Sequence, residues 1–247
     1  FLPWDADKFI LQSQKDGYNH LYLFNTKGEM LRQLTSGNFV VYDLLGFDKA
    51  RKRAIILSAE SSPIQSNLYA VDIATGKRTL LDNGCGVHAN IISPSGFHDR
   101  ALSPDGGWII DNYSEPTVPR CIDFINLKTD KSTRYFTADN PWKGYAEPEI
   151  TSGTIKAADG RTDLYYRMVK PADFDASKKY PTVVYVYGGP HATNVKESWN
   201  YQARPWEYYM ANRDYVLFIL DNRGSSARGL AFEQATFHHL GVEEVKD

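Results

Sequence analysis

Cysteine is scarce in this sequence. Cys85 and Cys121 are the only two in 247 residues, too few for a disulfide scaffold and without the spacing of a metal site. They are expected to be buried or free thiols and do not fix a compartment. Long apolar runs are missing as well: no stretch approaches the roughly 20 apolar residues that a membrane-crossing helix needs. Neither sign of charge is in excess, since 28 basic residues face 30 acidic ones for a net charge of −2. Nucleic-acid binding through bulk charge is therefore not expected. Phe1-Leu2-Pro3-Trp4 has neither Met nor a basic start, so nothing there resembles a signal peptide. Buriable surface, in contrast, is plentiful. With 42% hydrophobic and 13% aromatic residues, disorder is excluded, and the length admits one large domain or two smaller ones.

Residues 1–138 read as short strands divided by turns. Phe9-Ile10-Leu11, His20 to Phe24 and Met30 to Leu34 are separated by Asp16-Gly17 and Lys27-Gly28. Each run is aromatic or aliphatic and bounded by turn residues. A second copy follows in Ala54 to Leu57, Leu68 to Val71 and Arg78 to Leu81, with Leu68-Tyr69 standing 47 positions after Leu21-Tyr22. A third, looser copy runs through Trp108 to Ile110, Ile122 to Ile125 and Thr133 to Phe136. It is introduced by a Ser103-Pro104-Asp105-Gly106 turn, in which Pro fixes φ and Gly admits positive φ. A repeat of this length holding about four strands predicts β-propeller blades; a β-sandwich is the rival reading. Closed propellers have four to eight blades, so three of them point to the tail of a longer ring.

Past Asn140-Pro141 the pattern changes, and a boundary is expected near residues 139–150. Ile150 to Ile155 and Leu164 to Val169 read as an antiparallel pair around an Asp159-Gly160 turn. Thr182 to Tyr187 and Tyr215 to Leu220 are fully apolar runs, the mark of strands buried on both faces. Helices are predicted over Tyr201 to Arg213, with Pro205 in the first turn, and over Leu230 to Leu240. Strand and helix in alternation predict a parallel α/β sheet. The expected fold is thus incomplete propeller blades over 1–138 and the N-terminal part of an α/β domain over 139–247.

Gly188-Gly189-Pro190 ends the first apolar strand, where open α/β sheets bind ligands. Glycine there lets backbone come close to a reacting group, and Tyr187 can aim its hydroxyl into the same space. A plain structural turn is the alternative. Asp221-Asn222-Arg223-Gly224-Ser225 ends the second apolar strand and reads as a salt-bridged loop in which Asp221 or Ser225 caps the next helix. His191 reads as an exposed loop histidine, and His238 and His239 as helix-end residues suited to the helix dipole. No zinc spacing, no G-x-G-x-x-G, no Walker loop and no G-x-S-x-G occurs; Gly224-Ser225-Ser226 does not fit the last. No metal, no cofactor and no nucleophile are expected in this chain.

Lys178-Lys179-Tyr180-Pro181, Val184 to His191, Asp221 to Ser225 and Leu240 to Asp247 together resemble the prolyl oligopeptidase family of serine peptidases. The nearest branch is that of dipeptidyl peptidase IV, whose last blades Asp16 to Tyr22 and Ser103 to Gly106 also resemble. The resemblance implies an eight-bladed propeller joined to an α/β-hydrolase domain that cleaves dipeptides, with Pro or Ala second, from peptide N-termini. It implies that residues 1–138 are final blades and 139–247 the start of the hydrolase. The catalytic Ser, Asp and His would lie beyond residue 247 and the amine-binding glutamates before residue 1. One catalytic position carries over: Tyr187 matches the Tyr of Y-x-G-P, an oxyanion-hole donor. Peptide substrates, a homodimeric parent protein, and a periplasmic, secreted or membrane-anchored location in a bacterium are further implications. A non-catalytic binding protein, or a tripeptidyl or acylaminoacyl peptidase of the same family, stays open as an alternative.

Overall fold

A shift of 47 positions carries one strand onto another limit for limit: His20–Asn25 (β2) onto Asn67–Asp72 (β6). The computed structural model describes residues 1–89, 101–199 and 205–247. Lys8–Ser13 (β1), β2 and Met30–Gln33 (β3) form an antiparallel sheet in the order β1-β2-β3. Val41–Asp48 (β4), Arg53–Ser58 (β5), β6 and Arg78–Leu80 (β7) form a four-stranded meander. Trp108–Glu115 (β8), Val118–Asn126 (β9) and Lys131–Thr137 (β10) form a third antiparallel sheet. No helix lies among the described residues of 5–135. The Ser103 turn closes as its residues predict, with Gly106 at φ +73° and its N–H donating to the Ser103 carbonyl at 2.8 Å. One strand went unread in the sequence. β4 carries Asp43 and Gly46 among its apolar residues, and the Val41/Asp43 and Leu44/Gly46 irregularities in its pairing break the simple alternation.

The three sheets stack through their faces, and strand parity decides which neighbour each residue meets. Ala54, Ile56, Tyr69 and Val71 of the middle sheet pack with Leu21, Leu23, Leu34 and Phe39 of the first. Ile55, Leu57, Leu68 and Ala70 pack with Ile109, Ile125 and Leu127 of the third. Arg53 adds a polar tie between the middle and third sheets. Its buried guanidinium donates to Asp48 at 2.8 and 3.0 Å, to Asp130 at 2.8 and 3.0 Å, and to the Leu127 carbonyl at 2.9 Å. Burial works against its charge, but the Asp130 and Asp48 hydrogen bonds outweigh burial and hold its pKa above the ordinary value.

Beyond β10, Glu149–Lys156 (β11), Asp163–Lys170 (β12), Thr182–Val186 (β13) and Val216–Leu220 (β14) build a sheet of order β11-β12-β14-β13. It is mixed rather than purely parallel: β12 runs antiparallel to both β11 and β14, and β13 and β14 alone are parallel. Pro205–Ala211 (α1) lies in the crossover that makes the parallel pair possible. Pro205 stands at the first position of the described helix, where its missing N–H costs nothing; Tyr201 lies outside the described residues. Arg167 of β12 pins α1 through a buried ion pair with Glu207 at 2.7 Å.

Three expectations are corrected here. β14 is buried, but β13 is not: its burial alternates, with Val183 and Tyr185 half-buried and Val184 62% exposed. β13 is also an edge strand, with β14 on one side and no strand on the other among the described residues, and the face carrying Val184 and Val186 is exposed. The helix expected over Leu230 to Leu240 is a single turn, Leu230–Glu233 (α2), followed by a 3₁₀ turn at Gln234–Thr236 and then irregular chain. Four residues cannot sustain the helical hydrogen-bond ladder that would carry the chain to Leu240, and His238 takes φ +59° instead. His238 and His239 therefore do not sit at a helix end. Glu243–Lys246 (α3) closes the chain. Among the described residues, no helix is long and apolar enough to cross a membrane.

Candidate functional site

The parallel register of β13 on β14 pairs Val186 with Leu220. The two loops that follow therefore leave the sheet side by side. One is Tyr187-Gly188-Gly189-Pro190-His191, the other Asp221-Asn222-Arg223-Gly224-Ser225. The His191 N–H donates to the Gly224 carbonyl at 2.9 Å, and the Ser226 hydroxyl to the His191 carbonyl at 2.7 Å. Tyr187 directly follows β13 and is 61% exposed. His191 is an exposed loop residue at φ +59°. It shares a cavity of about 850 Å³ with Gln14, Glu233, Phe237 and His238, between the β1–β2 turn and the α2 segment.

The second loop is built as a support. Asp221 is buried and accepts the N–H groups of Asn194 and Val195 at 2.7 and 3.0 Å, so it anchors the chain after His191. It does not cap α2, as the sequence had suggested. Burial pushes its carboxyl above the usual range despite these two bonds. Ser225 donates to the Asn222 carbonyl at 2.8 Å and caps nothing either; Gly229 stands at the α2 N-cap without a side-chain bond. The loop is salt-bridged through Arg223, which reaches Asp247 at 2.7 Å, Glu243 at 2.8 Å and Asp159 at 3.7 Å. The Asp247 hydrogen bond is the main cause of the raised Arg223 pKa.

The antiparallel sheets of residues 1–138 hold a second polar cluster, and no sequence spacing announced it. His88 is buried with Nδ1 at 2.6 Å from Asp111 and 3.6 Å from Asp82. Its Nε2 faces the backbone carbonyl of Cys85 at 2.7 Å and the side-chain Oδ1 of Asn83 at 3.0 Å, and the ring stacks on Tyr113. Acceptors on both nitrogens require both to carry protons. Burial opposes that charge, yet the Asp111 hydrogen bond and the two carboxylates prevail, and the His88 pKa is raised. Burial likewise raises the Asp82 carboxyl. Both groups bind protons more readily in the folded chain than in the unfolded one. Stability from His88 is therefore fully present below its ordinary pKa of about 6.5 and is lost as pH rises through the higher folded value. The melting temperature should fall between pH 6 and pH 9, and His88→Gln should flatten that fall; melts of the two proteins across this range check it.

Among the described residues, no three His, Cys, Asp or Glu side chains gather to hold a metal ion. Cys85 is exposed and Cys121 buried, both as free thiols.

Comparison with known proteins bears on both halves of the chain. Residues 1–120 match the family model for the dipeptidyl peptidase IV (DPP IV) N-terminal region, and residues 201–247 that for the prolyl oligopeptidase family. The crystal structure of a candidate dipeptidyl aminopeptidase IV from Bacteroides ovatus superposes with a TM-score of 0.83 at 43% identity, covering 100% of this chain and 36% of that one. Porphyromonas gingivalis dipeptidyl peptidase 4 superposes at 0.82 with 31% identity, covering 97% and 32%. An Aspergillus flavus protein named probable dipeptidyl peptidase 4 is 31% identical over 99% of this chain and 31% of its own length. The chain spans about a third of the length of the relatives it matches.

Proposed function

From the matches of residues 1–120 and 201–247 to two family models, we propose that this chain belongs to the prolyl oligopeptidase family, in its dipeptidyl peptidase IV branch, and that the full-length protein is a serine exopeptidase releasing N-terminal X-Pro or X-Ala dipeptides. Residues 1–138 are then the last blades of a propeller and residues 139–247 the first part of an α/β-hydrolase domain. Peptides are the substrates, and a homodimer in the periplasm, outside the cell or on a membrane is the form in which it works. The observation that carries this reading is the placement of Tyr187. It directly follows the parallel strand β13 and is exposed, on a loop that exchanges hydrogen bonds with its neighbour.

The chemistry follows from that placement. Attack of a serine hydroxyl on a peptide carbonyl turns the carbonyl oxygen into an oxyanion. A preorganised donor aimed at that oxygen stabilises the charge as it develops. Tyr187 supplies one such donor through its O–H. The bracing of the following loop through Asp221 and Gly224 keeps the Tyr187 end of β13 fixed, so little reorganisation is needed when charge appears.

Two measurements test this. The full-length protein should hydrolyse Gly-Pro and Ala-Pro chromogenic amides, and a serine-directed reagent should abolish the turnover. A binding protein on the same scaffold would show none; a tripeptidyl or acylaminoacyl peptidase would prefer longer or N-blocked substrates. The 247-residue chain by itself should show no turnover, because one oxyanion donor without an activated nucleophile cannot run acyl transfer. Hydrolysis by this chain that the same reagent blocks would refute that expectation.

A further inference from the structure

Gly188 and Gly189 are adjacent glycines that serve different needs. Gly188 takes φ +75°, and a Cβ built on it would meet open space. Its backbone requires glycine; its surroundings do not. Gly189 is the reverse. Its φ lies outside the left-handed region, so an alanine could adopt its backbone without strain. The space for a Cβ is occupied, however. An ideal Cβ at residue 189 would stand 2.6 Å from Cε1, 3.1 Å from Cδ1 and 3.5 Å from Cζ of the Tyr187 ring.

We infer that Gly189 is a positioning residue for Tyr187: the missing side chain is the seat on which the tyrosine ring lies, and it sets where the hydroxyl points. This inference rests on the oxyanion role proposed above for Tyr187. Carbon atoms pack at about 3.5–4.0 Å, so a methyl group at residue 189 forces the near edge of the ring away by roughly 1 Å. Cε1 is bonded to Cζ, the carbon that bears the hydroxyl, so the displacement reaches the O–H. A misplacement of about 1 Å in a reacting group is worth roughly 10²-fold in rate. The three heavy atoms nearest to that Cβ position all belong to the Tyr187 ring. The exposed ring is the part that must move.

The test is a double-mutant cycle in the full-length enzyme with Gly189→Ala, Tyr187→Phe and the pair. Phe keeps the ring and loses the hydroxyl. Gly189→Ala is expected to lower kcat by roughly 10²-fold in the tyrosine background with KM little changed, and to have almost no further effect in the phenylalanine background. A loss of equal size in both backgrounds would mean a general disturbance of the loop and would overturn the inference. So would an unchanged kcat in Gly189→Ala alongside a reduced one in Tyr187→Phe. If Tyr187→Phe itself leaves kcat unchanged, the oxyanion role fails instead. The positioning claim is then decided by the ¹⁹F resonance of 3-fluorotyrosine at position 187, which must move in Gly189→Ala for Gly189 to be the seat of the ring.

Discussion

Tyr187→Phe in the full-length protein should lower kcat by roughly 10²–10³-fold, the loss found when one oxyanion donor is removed, with little change in KM. The reason lies in timing. A ground-state carbonyl is a weaker acceptor than the oxyanion it becomes, so the phenolic hydroxyl contributes mainly in the transition state. An interaction made only there lowers kcat and kcat/KM together. Phe retains the ring that rests over Gly189, so the strand end and its loop should keep their geometry. Steady-state kinetics on a Gly-Pro amide check this directly: a kcat equal to that of the unaltered protein would leave Tyr187 as an ordinary strand-end residue.

Arg53→Ala should lower stability by about 3–5 kcal/mol, the cost of removing one partner from a buried ion pair. The substitution leaves Asp48 buried without a counter-charge, and the Leu127 carbonyl loses its donor. For a chain of this size the melting temperature should drop by roughly 6–20 °C. Arg53→Lys should recover only part of the loss, because an ammonium group cannot span Asp48, Asp130 and Leu127 as a planar fork does. Asp130, at the β9–β10 turn, is more exposed than Asp48, and Arg51 also reaches it at 2.7 Å. Asp130→Asn should therefore cost less than Asp48→Asn. A calorimetric comparison of the four variants tests the ranking, and an unaltered melting temperature for Arg53→Ala would show the tie to be idle.

Much of this architecture was legible in the residues. Turn residues marked most strands of residues 1–138 because Gly and Asp punctuate where backbone must reverse. The 47-residue echo between Leu21-Tyr22 and Leu68-Tyr69 reflects two strands placed alike in neighbouring sheets. The end of β13 was legible because two glycines and a proline do not continue a strand. What escaped reading was set by distant contacts. The exposed face of β13 depends on what packs over the sheet, and its own apolar residues cannot say. Leu230 to Leu240 has helix-forming composition, but the chain turns away after one turn. Asp221 resembled a helix cap by position, while its actual partners, Asn194 and Val195, lie more than 25 residues upstream. His88 offered no spacing signal, since Asp111 reaches it from the next sheet.

The middle sheet spends its two faces on two different neighbours, and this makes its strands separately addressable. Along β5, Ile55 and Leu57 belong to the cluster shared with the third sheet, while Ala54 and Ile56 belong to the one shared with the first. Trimming Ile56 therefore loosens one seam and trimming Ile55 the other, although the two residues are adjacent in the chain. A single strand works as a two-channel switchboard, its odd and even positions wired to opposite sides. A substitution on one side can be absorbed without disturbing the other, so the first and third sheets can change independently while the strand between them stays in register with both.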